Sequence, residues 1–523
     1  MRWPLTFRQS SARVSLRTFG EWDVAIRDMD APMTGLDHRC APLVDGIRRY
    51  QEHGVVPYST PGHKLGSGID EAFRALIGER ALRADIPLGG GVDDTHFREE
   101  SLLTAETLGA AAWGADRSFY LVNGSSTGNH AYLLATLQPG DTVIVARDMH
   151  KSLLVALILT GAVPVYIAPR LHPTLDIGLG VTKDDIAFAL DTHPEAKLVT
   201  LVSPSYCGVP SDLAGIATEA HRRGVPVHID EAWGPHFAFH PALPPSAMAC
   251  DIDGAVMSTH KVLASLTQGA ILHTRGNLND TTRIATAVGM VQTTSPAATI
   301  LASIDACRRQ MALDGHSLLD RAIHLAEDAR RRLRALPGID VLGADRLCID
   351  AYDLTKLVVD VHALGLTGFE VEAALRHRFR IGVEMSDLAG VVCLITIGDT
   401  EASIDHLIGA FTTLSAEGRT TQNSTTTLRS SGAVIAPGTQ AMSPRDAFFA
   451  ATRGIPFSAS AGEVSAELVI PYPPGIPVLA PGDLISSEKV AFLREGVARG
   501  MYISGPADPR LATILVVAKP NRE

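Results

Sequence analysis

The sequence predicts an α/β protein whose largest part is a mainly parallel sheet covered by helices. Short apolar segments alternate with helical segments between residues 118 and 273, as expected of repeated strand–helix–strand units. The chain has 523 residues, of which 46% are hydrophobic, enough for a large buried core. We therefore expect a large parallel-sheet domain followed by smaller domains.

Seven strands are predicted in the large domain. Each is a short apolar segment bounded by Gly, Pro or polar residues, and most are followed by a helical segment. The predicted strands are Ser118–Val122, Thr142–Ala146, Val163–Ile167, Leu198–Val202, Val225–Ile229, Ala255–Met257 and Ala270–His273.

A smaller α/β layer is predicted after a long helical stretch near Ser317–Leu336. Its strands, Lys356–Val361 and Val391–Ile397, flank a helix at Gly368–His377. Residues 417–431 are rich in Thr and Ser and predict a linker. The predicted domains are an N-terminal extension and arm (1–57), the large domain (58–313), the small α/β domain (314–416), this linker (417–431) and a C-terminal α+β domain (432–523).

Charge and cysteine content narrow the function classes. The net charge of -11 disfavours nucleic acid as a partner, because the chain as a whole repels phosphate backbones. The 6 cysteines are scattered without a CxxC pair, which predicts neither a disulfide framework nor a zinc cluster and favours a cytoplasmic location. Two long uncharged stretches, after Lys151 and after Arg283, are interrupted by Gly and Pro, so no membrane span is expected.

The first 20 residues carry four arginines and no acidic residue. This composition allows a transit peptide, but a disordered extension or an early start codon is the preferred interpretation.

Residues 123–129 (NGSSTGN) follow a predicted strand and open a helix. Their amides and hydroxyls suit a phosphate, since the helix dipole favours an anion there; an ordinary N-capped turn is the alternative. The same residues match GxSxG, which would make Ser126 a hydrolase nucleophile.

An acid and a lysine follow two later strands. Asp230 ends the apolar segment before it, where ligand sites form in α/β sheets, and Lys261 lies 31 residues further on. Each could be a solvated surface group. With the Ser/Gly turn they indicate pyridoxal-phosphate chemistry, in which a lysine binds the cofactor covalently and an acid keeps a pyridine nitrogen protonated.

At this point the sequence resembles a known family, the pyridoxal-phosphate-dependent decarboxylases of ornithine, lysine and arginine, which have the fold type I, aspartate-aminotransferase-like architecture. The resemblance covers most of the chain and rests on seven motifs in family order. They are Ser59–Lys64, Asn123–Asn129, His150–Ser152, Ser203–Tyr206, Asp230–Gly234, Ser258–Lys261 and Pro471–Pro477.

The resemblance implies roles for individual residues. Lys261 would bind pyridoxal 5'-phosphate covalently, Asp230 would face its pyridine nitrogen, and His150 would stack on its ring. These three are the expected catalytic residues. The other expected cofactor-binding residues, most of them phosphate ligands, are Ser125, Ser126, Thr127, Trp233, Ser258 and His260.

Three segments depart from the family pattern. Trp233 stands where many members have His, Ser205–Cys207 replaces a Thr–Tyr–Tyr sequence, and Thr293–Ala297 differs from Ser-Thr-Ser-Pro-Ser. These positions are expected near the site, so substrate or reaction outcome could differ from those of standard members.

The expected function is decarboxylation of a basic amino acid, arginine first and ornithine or lysine second, within polyamine biosynthesis. Such a substrate requires an acid in the pocket, and Asp94 and Glu467 are the candidates. The alternatives are an aminotransferase, cyclising or oxygen-consuming enzyme on the same scaffold, and a silent regulatory homologue. The resemblance also implies a homodimer or larger homo-oligomer.

No metal site is predicted. His236 and His240 have i,i+4 spacing, but prolines bracket them, so loop packing is the preferred interpretation.

Overall fold

A seven-stranded sheet with helices on both faces organises the first part of the chain. The computed structural model describes residues 36–93, 100–173, 175, 177–418, 438–472 and 475–519. The strands are β1 Arg117–Leu121, β2 Thr142–Ala146, β3 Val163–Ile167, β4 Leu198–Val202, β5 Val227–Asp230, β6 Gly254–Met257 and β7 Ala270–Thr274. All seven predicted strands are present, three of them with the predicted bounds.

The sheet is mainly parallel, which confirms the predicted fold class. Its strand order is β1-β7-β6-β5-β4-β2-β3, and β7 alone runs against its neighbours β1 and β6. The remaining strands therefore end at a common edge. Both faces of the sheet are apolar: Ile144 and Ile229 pack into one fully buried cluster and Val143 and Val256 into another.

Eleven described helices pack around this sheet or lead into it. They are α1 Pro42–Glu52, α2 Glu71–Ile77, α3 Glu79–Ala84, α4 Ser101–Trp113, α5 Gly124–Thr136, α6 Lys151–Thr160, α7 Lys183–Thr192, α8 Leu213–His221, α9 Thr259–Val262, α10 Thr281–Val291 and α11 Ala298–Arg334. Helix α6 shows how local sequence sets the bounds: it ends at Gly161, whose left-handed φ of 74° glycine adopts without strain.

A four-stranded antiparallel sheet follows α11. Its order is β10-β11-β9-β8, with β8 Asp340–Val341, β9 Lys356–Asp360, β10 Met385–Ser386 and β11 Gly390–Leu394. The accompanying helices are α12 Ala344–Leu347, α13 Gly368–Phe379 and α14 Glu401–Glu417. A capping box between Thr367 and Glu370 begins α13, near the predicted position.

The C-terminal part is a small α+β structure. Strand β12 (Thr452–Pro456) pairs with β15 (Thr513–Val517), and β13 (Ile470–Pro471) pairs with β14 (Ile503–Ser504). Its helices are α15 Pro444–Phe449 and α16 Ser487–Ala498.

Some sequence-based expectations are not tested here. Residues 37–523 form one unit, so the proposed domain boundaries stay predictions. The arginine-rich N-terminus and most of the predicted linker lie outside the described residues, although Glu417 itself ends α14. Among the helices of the described ranges, none is long and apolar enough to cross a membrane.

Candidate active site

A small cavity lies at the edge where the parallel strands end. Asp230 is the last residue of β5, His150 follows β2, and Lys261 follows β6. Because β2, β5 and β6 run parallel, residues that follow them in distant parts of the sequence lie at one edge of the sheet, as the sequence predicted. The lining residues are Ser125, Asp148, His150, Val202, Ser205, Tyr206, Asp230, Ala232, Trp233, Lys261 and Ile476.

Hydrogen bonds fix the carboxylate of Asp230, which is 3% exposed. Its Oδ2 accepts a bond from Asn129 Nδ2 at 2.8 Å, and its Oδ1 accepts one from the backbone N–H of Ala232 at 3.2 Å. Asn129 Nδ2 also donates to Ser152 Oγ at 2.8 Å. The network holds the buried carboxyl group of Asp230, which lines the cavity, in one orientation.

The imidazole of His150 is neutral at physiological pH. Burial lowers its pKa to about 4, although the charge of Asp230 opposes this shift. The backbone N–H of Ser152 donates to His150 Nδ1 at 3.3 Å, which assigns the ring proton to Nε2. His150 therefore offers a neutral aromatic face and one N–H donor.

Two lysine amines lie beside one indole ring. Lys261 Nζ is 4.1 Å and Lys356 Nζ is 3.8 Å from the centroid of the Trp233 ring. Burial lowers the pKa of Lys261, while the charges of Asp230 and Glu384 raise it. A buried lysine with a depressed pKa is the form in which an amine acts as a nucleophile.

Glu384 comes from the small sheet, one residue before β10. Burial raises the pKa of its carboxyl, while the charges of Lys356 and Lys261 lower it. Lys356 is fully buried, its Nζ has no hydrogen-bond partner within the described chain, and burial lowers its pKa to about 8. Sequence reasoning missed both residues, because neither belongs to a local motif.

Three of the predicted cofactor-binding residues, Ser125, Ser126 and Thr127, lie in the first turn of α5. Ser125 lines the cavity, and Asn123 caps α5 without a side-chain bond to any described residue. Ser258 Oγ is buried and lacks a partner in the described part of the chain. Ser126 and Thr127 lie in the first turn of α5, and Thr127 Oγ1 donates to the Asn123 carbonyl at 3.4 Å. The uncapped N-terminus of α5 and the unpaired hydroxyl of Ser258 would each suit a phosphate.

His260 lies beside this group. Its Nδ1 is 2.8 Å from the Gly269 carbonyl and donates a proton to it. Of the nine predicted cofactor-binding residues, five line the cavity: Ser125, His150, Asp230, Trp233 and Lys261.

The structure does not bring Glu467 to this cavity. The carboxylate is 8% exposed and accepts two backbone bonds in the C-terminal part, from Ala507 N and Leu515 N, each at 2.7 Å. The other predicted substrate acid, Asp94, lies outside the described residues. Asp148, which sequence reasoning did not single out, is the acid found in the cavity besides Asp230.

The C-terminal part nevertheless closes one side of the site. Ile476 lines the cavity, and Gly475, with a φ of 92°, lies against His150: a Cβ there would be 3.3 Å from His150 Cδ2. Arg147 anchors the segment, donating to the carbonyls of Pro477 and Val478.

Two histidines that are not lining residues of the cavity, His236 and His240, make hydrogen bonds. His236 Nε2 is 3.1 Å from Asp353 Oδ1, and both side chains are buried. His240 Nε2 is 2.9 Å from Asp320, which also contacts His316 at 3.0 Å. His240 Nδ1 accepts the Ala242 N–H, so the ring proton is on Nε2. If a metal bound His240 Nε2, the ring proton would have to move to Nδ1, where it would point at the N–H of Ala242. This conflict favours a hydrogen-bonded cluster over a metal site.

Family models match two parts of the chain. Residues 41–351 match the Orn/Lys/Arg decarboxylase major domain, and residues 430–495 match the C-terminal domain of the same family.

Named relatives match over nearly the full length. The chain is 40% identical to an arginine decarboxylase of Halalkalibacterium halodurans over 91% of its own length and 97% of the relative's. It is 38% identical to an arginine decarboxylase of Bacillus subtilis over the same shares, 91% and 97%.

Solved structures share the fold. A lysine decarboxylase of Francisella novicida superposes with a TM-score of 0.76 at 24% identity, covering 91% of this chain and 81% of the other. Lysine decarboxylase A of Pseudomonas aeruginosa gives 0.77 at 22% identity, covering 91% and 80%. These likenesses confirm the fold type I architecture.

Proposed function

This chain belongs to the Orn/Lys/Arg decarboxylase family, and we propose that its substrate is arginine, which it converts to carbon dioxide and the corresponding amine. Family membership makes it a basic amino acid decarboxylase. Identity supports arginine over lysine: relatives named arginine decarboxylase are 36–40% identical, whereas a named lysine decarboxylase is 25% identical. Ornithine and lysine are the second candidates.

The residues of the cavity fit pyridoxal phosphate. Ser125, Ser258 and the uncapped start of α5 would hold its phosphate, and the carboxylate of Asp230 would face its pyridine nitrogen. When bound, the cofactor supplies an electron sink for the pair released as the carboxylate leaves. The unpaired Ser258 hydroxyl and the fixed Asp230 carboxylate support this assignment.

The chain's own residues have distinct tasks in this proposal. Lys261 binds the cofactor covalently through Nζ, which burial keeps ready to lose its proton. His150 would hold a neutral imidazole against the cofactor, and its Nε2–H would be available to donate to an oxygen in the cavity. Asn129 and Ala232 keep Asp230 oriented, so that its charge stabilises a protonated pyridine nitrogen.

The observation that carries the proposal is the pairing of a buried Lys261 amine with a fixed, buried Asp230 carboxylate in one cavity. The test incubates purified protein with arginine, ornithine or lysine separately and follows carbon dioxide, amine and oxygen. Arginine should give equal amounts of carbon dioxide and amine without oxygen uptake. Oxygen consumption or a keto acid product would favour the other outcomes on this scaffold, and no turnover with any of the three would refute the proposal.

The cofactor assignment has its own test. Borohydride should fix the cofactor to the protein, and peptide mapping should place it on Lys261. Protein that takes up no added pyridoxal phosphate would contradict the assignment.

We also propose a homodimer or larger assembly. Large apolar side chains are exposed just before the Ser59–Lys64 motif and in α2: Val56 and Tyr58 are 74% and 95% exposed, and Leu76 is 78% exposed. Exposed apolar side chains support an association surface. Light scattering that gives an active monomer at micromolar concentration would contradict it.

The location and pathway are proposals as well. All 6 cysteines are free thiols, which suits the reducing cytoplasm. Because the amine of a basic amino acid is a polyamine precursor, we place the reaction in polyamine biosynthesis.

A further inference from the structure

A cationic substrate side chain needs a carboxylate inside the cavity, since an unpaired buried cation is costly. Of the two acids predicted for this task, Glu467 is not among the described lining residues, and Asp94 lies outside the residues that the structure describes. The described lining contains two acids, Asp230 and Asp148. These two carboxyl groups differ in whether their oxygens are available to a substrate.

Asp230 is already engaged. Each of its oxygens accepts a hydrogen bond, from Asn129 and from Ala232. It is also the acid assigned to the pyridine nitrogen of the cofactor, so it is not available to the side chain of a substrate.

Asp148 lies two residues beyond β2 and has a free acceptor. Its Oδ1 is fully shielded from solvent and has no hydrogen-bond partner among the described residues. A buried acceptor without a partner costs stability, so such a group calls for an explanation.

The neighbouring basic groups of Asp148 do not pair with it. Both Nη atoms of Arg147 donate elsewhere, Nη1 to Pro477 O and Nη2 to Val478 O and Asp483 Oδ2. His150 Nδ1 is an acceptor for the Ser152 N–H. Asp148 therefore lines the cavity with an acceptor, Oδ1, that has no hydrogen-bond partner among the described residues.

We propose that Asp148 binds the cationic end of the substrate's side chain and so selects a basic amino acid. This inference rests on the proposed function. In the absence of substrate, burial raises the pKa of Asp148 to about 7, with the Arg147 charge acting against the shift. An arriving guanidinium would stabilise the ionised form and supply the missing hydrogen bonds.

Glu384 is the competing carboxylate near the site. It faces Lys261 and Lys356, whose charges lower its pKa, and it is not a lining residue. Two lysine charges therefore act on Glu384, whereas Asp148 lines the cavity and its Oδ1 has no hydrogen-bond partner among the described residues.

The test compares holoenzymes of wild type and Asp148→Asn on arginine and on citrulline, in which an uncharged urea group replaces the guanidinium. Asp148→Asn should lower kcat/KM for arginine at least about 30-fold and change that for citrulline less than about 3-fold. Glu106→Gln is the matched control, because burial also raises the pKa of Glu106 to about 7 but it lies outside the cavity. Both kcat/KM values should be unchanged in that control.

Several results would overturn the inference. An unchanged ratio of arginine to citrulline kcat/KM in Asp148→Asn would remove Asp148 from substrate selection. Loss of bound cofactor in that variant would make Asp148 a cofactor ligand, and a selective loss in Glu384→Gln alone would assign the cation to Glu384. Wild-type protein inactive on all three basic amino acids would refute the proposed function itself, a result distinct from these.

Discussion

The cavity has two acidic walls that differ in how their carboxylates are held. On the β5 wall, Asp230 accepts bonds from Asn129 and Ala232 and is part of a network that reaches His150 through Ser152. On the β2 wall, Asp148 is equally close to the cavity, but its Oδ1 has no partner among the described groups. One carboxylate is fixed in advance, and the other is left open.

The difference corresponds to how long each partner stays. A group that remains bound through every turnover benefits from a preorganised charge, because reorienting dipoles at each cycle would raise the barrier. A substrate enters and leaves in each cycle, so the protein group that binds it must stay unpaired in the substrate-free enzyme. This unpaired group costs some stability. On this view the β5 wall is built for chemistry and the β2 wall for selection.

The largest effect should come from removing the Lys261 amine, which lies in the cavity with both carboxylates. Lys261→Ala should lower kcat for arginine at least about 10³-fold, because the covalent site for the cofactor is lost. Steady-state kinetics and mass spectrometry after borohydride treatment check this. Ser126→Ala is the control: it should weaken cofactor binding and retain turnover at saturating cofactor. A Ser126→Ala variant that instead lost an esterase activity would restore the hydrolase hypothesis.

Weakening the preorganised wall should have the next largest effect. Asn129→Ala leaves Asp230 Oδ2 without its donor, at a cost of about 1–3 kcal/mol. If that cost falls on the transition state, kcat drops about 5- to 150-fold with little change in KM. Asn279→Ala, which removes a hydrogen-bonded Asn outside the cavity, should lower stability and leave kcat unchanged. Equal kcat losses in both variants would show that the network acts only through folding.

The contrast between walls also shows how far sequence reasoning reaches. Strand ends and the Lys261 and Asp230 motifs were predictable, because apolar strands bounded by Gly and Pro and residues just after them carry local signals. Asp148 was missed, since one acid after a strand is usually a solvated surface group; its position between Arg147 and His150, inside a motif region, was the available signal. Glu384 is 123 residues from Lys261 in sequence and comes near it only through folding.

Glu467 was placed in the site for a local reason that the fold overrides. It stands just before the proline-rich motif, and that motif does reach the cavity through Ile476. Its side chain, however, points to backbone amides near β14 and β15. Strand pairing decides such directions, and a single sequence does not reveal which strands pair. Helix α11 was likewise predicted only from 317, although it begins at Ala298.

Stability should reveal the cost of the open wall. Burial raises the pKa of Asp148 to about 7 in the fold, against an ordinary value near 3.8. Well below pH 4, the Asp148 carboxyl is protonated in both the folded and the unfolded chain, so it does not change the free energy of unfolding. As the pH rises toward 7, the carboxyl ionises first in the unfolded chain, and the stability of the fold decreases. In substrate-free holoenzyme, Asp148→Asn should therefore unfold later than wild type at pH 8, by on the order of 2 kcal/mol, with a smaller gain at pH 5.

The charges around Asp148 could alter this pH dependence. Arg147 and His150 flank it on the same segment, and Lys261 and Asp230 line the same cavity. Because the Asn variant keeps all four, the difference between the two proteins isolates the Asp148 carboxyl. Denaturant unfolding at both pH values checks it, and an equal stability change at pH 5 and pH 8 would show that Asp148 does not titrate in this range.

The smallest effect on activity is expected from a third acid, which the structure removes from the comparison. The two carboxylate oxygens of Glu467 each accept a backbone N–H bond at 2.7 Å. In Glu467→Gln, the side-chain NH2 group would replace one of these oxygens and face a backbone N–H, so one hydrogen bond would be lost. We expect a stability loss of about 1–3 kcal/mol and a kcat/KM for arginine within about twofold of wild type. Thermal unfolding and kinetics on the same preparation separate the two. Glu467→Ala serves as the comparison, because it loses both bonds and should be less stable still. A 30-fold loss of kcat/KM in a well-folded Glu467→Gln holoenzyme would contradict this prediction and assign the Glu467 carboxylate to substrate binding. Because Glu467 does not line the cavity of its own chain, such a result would imply that it reaches the cavity of a second subunit.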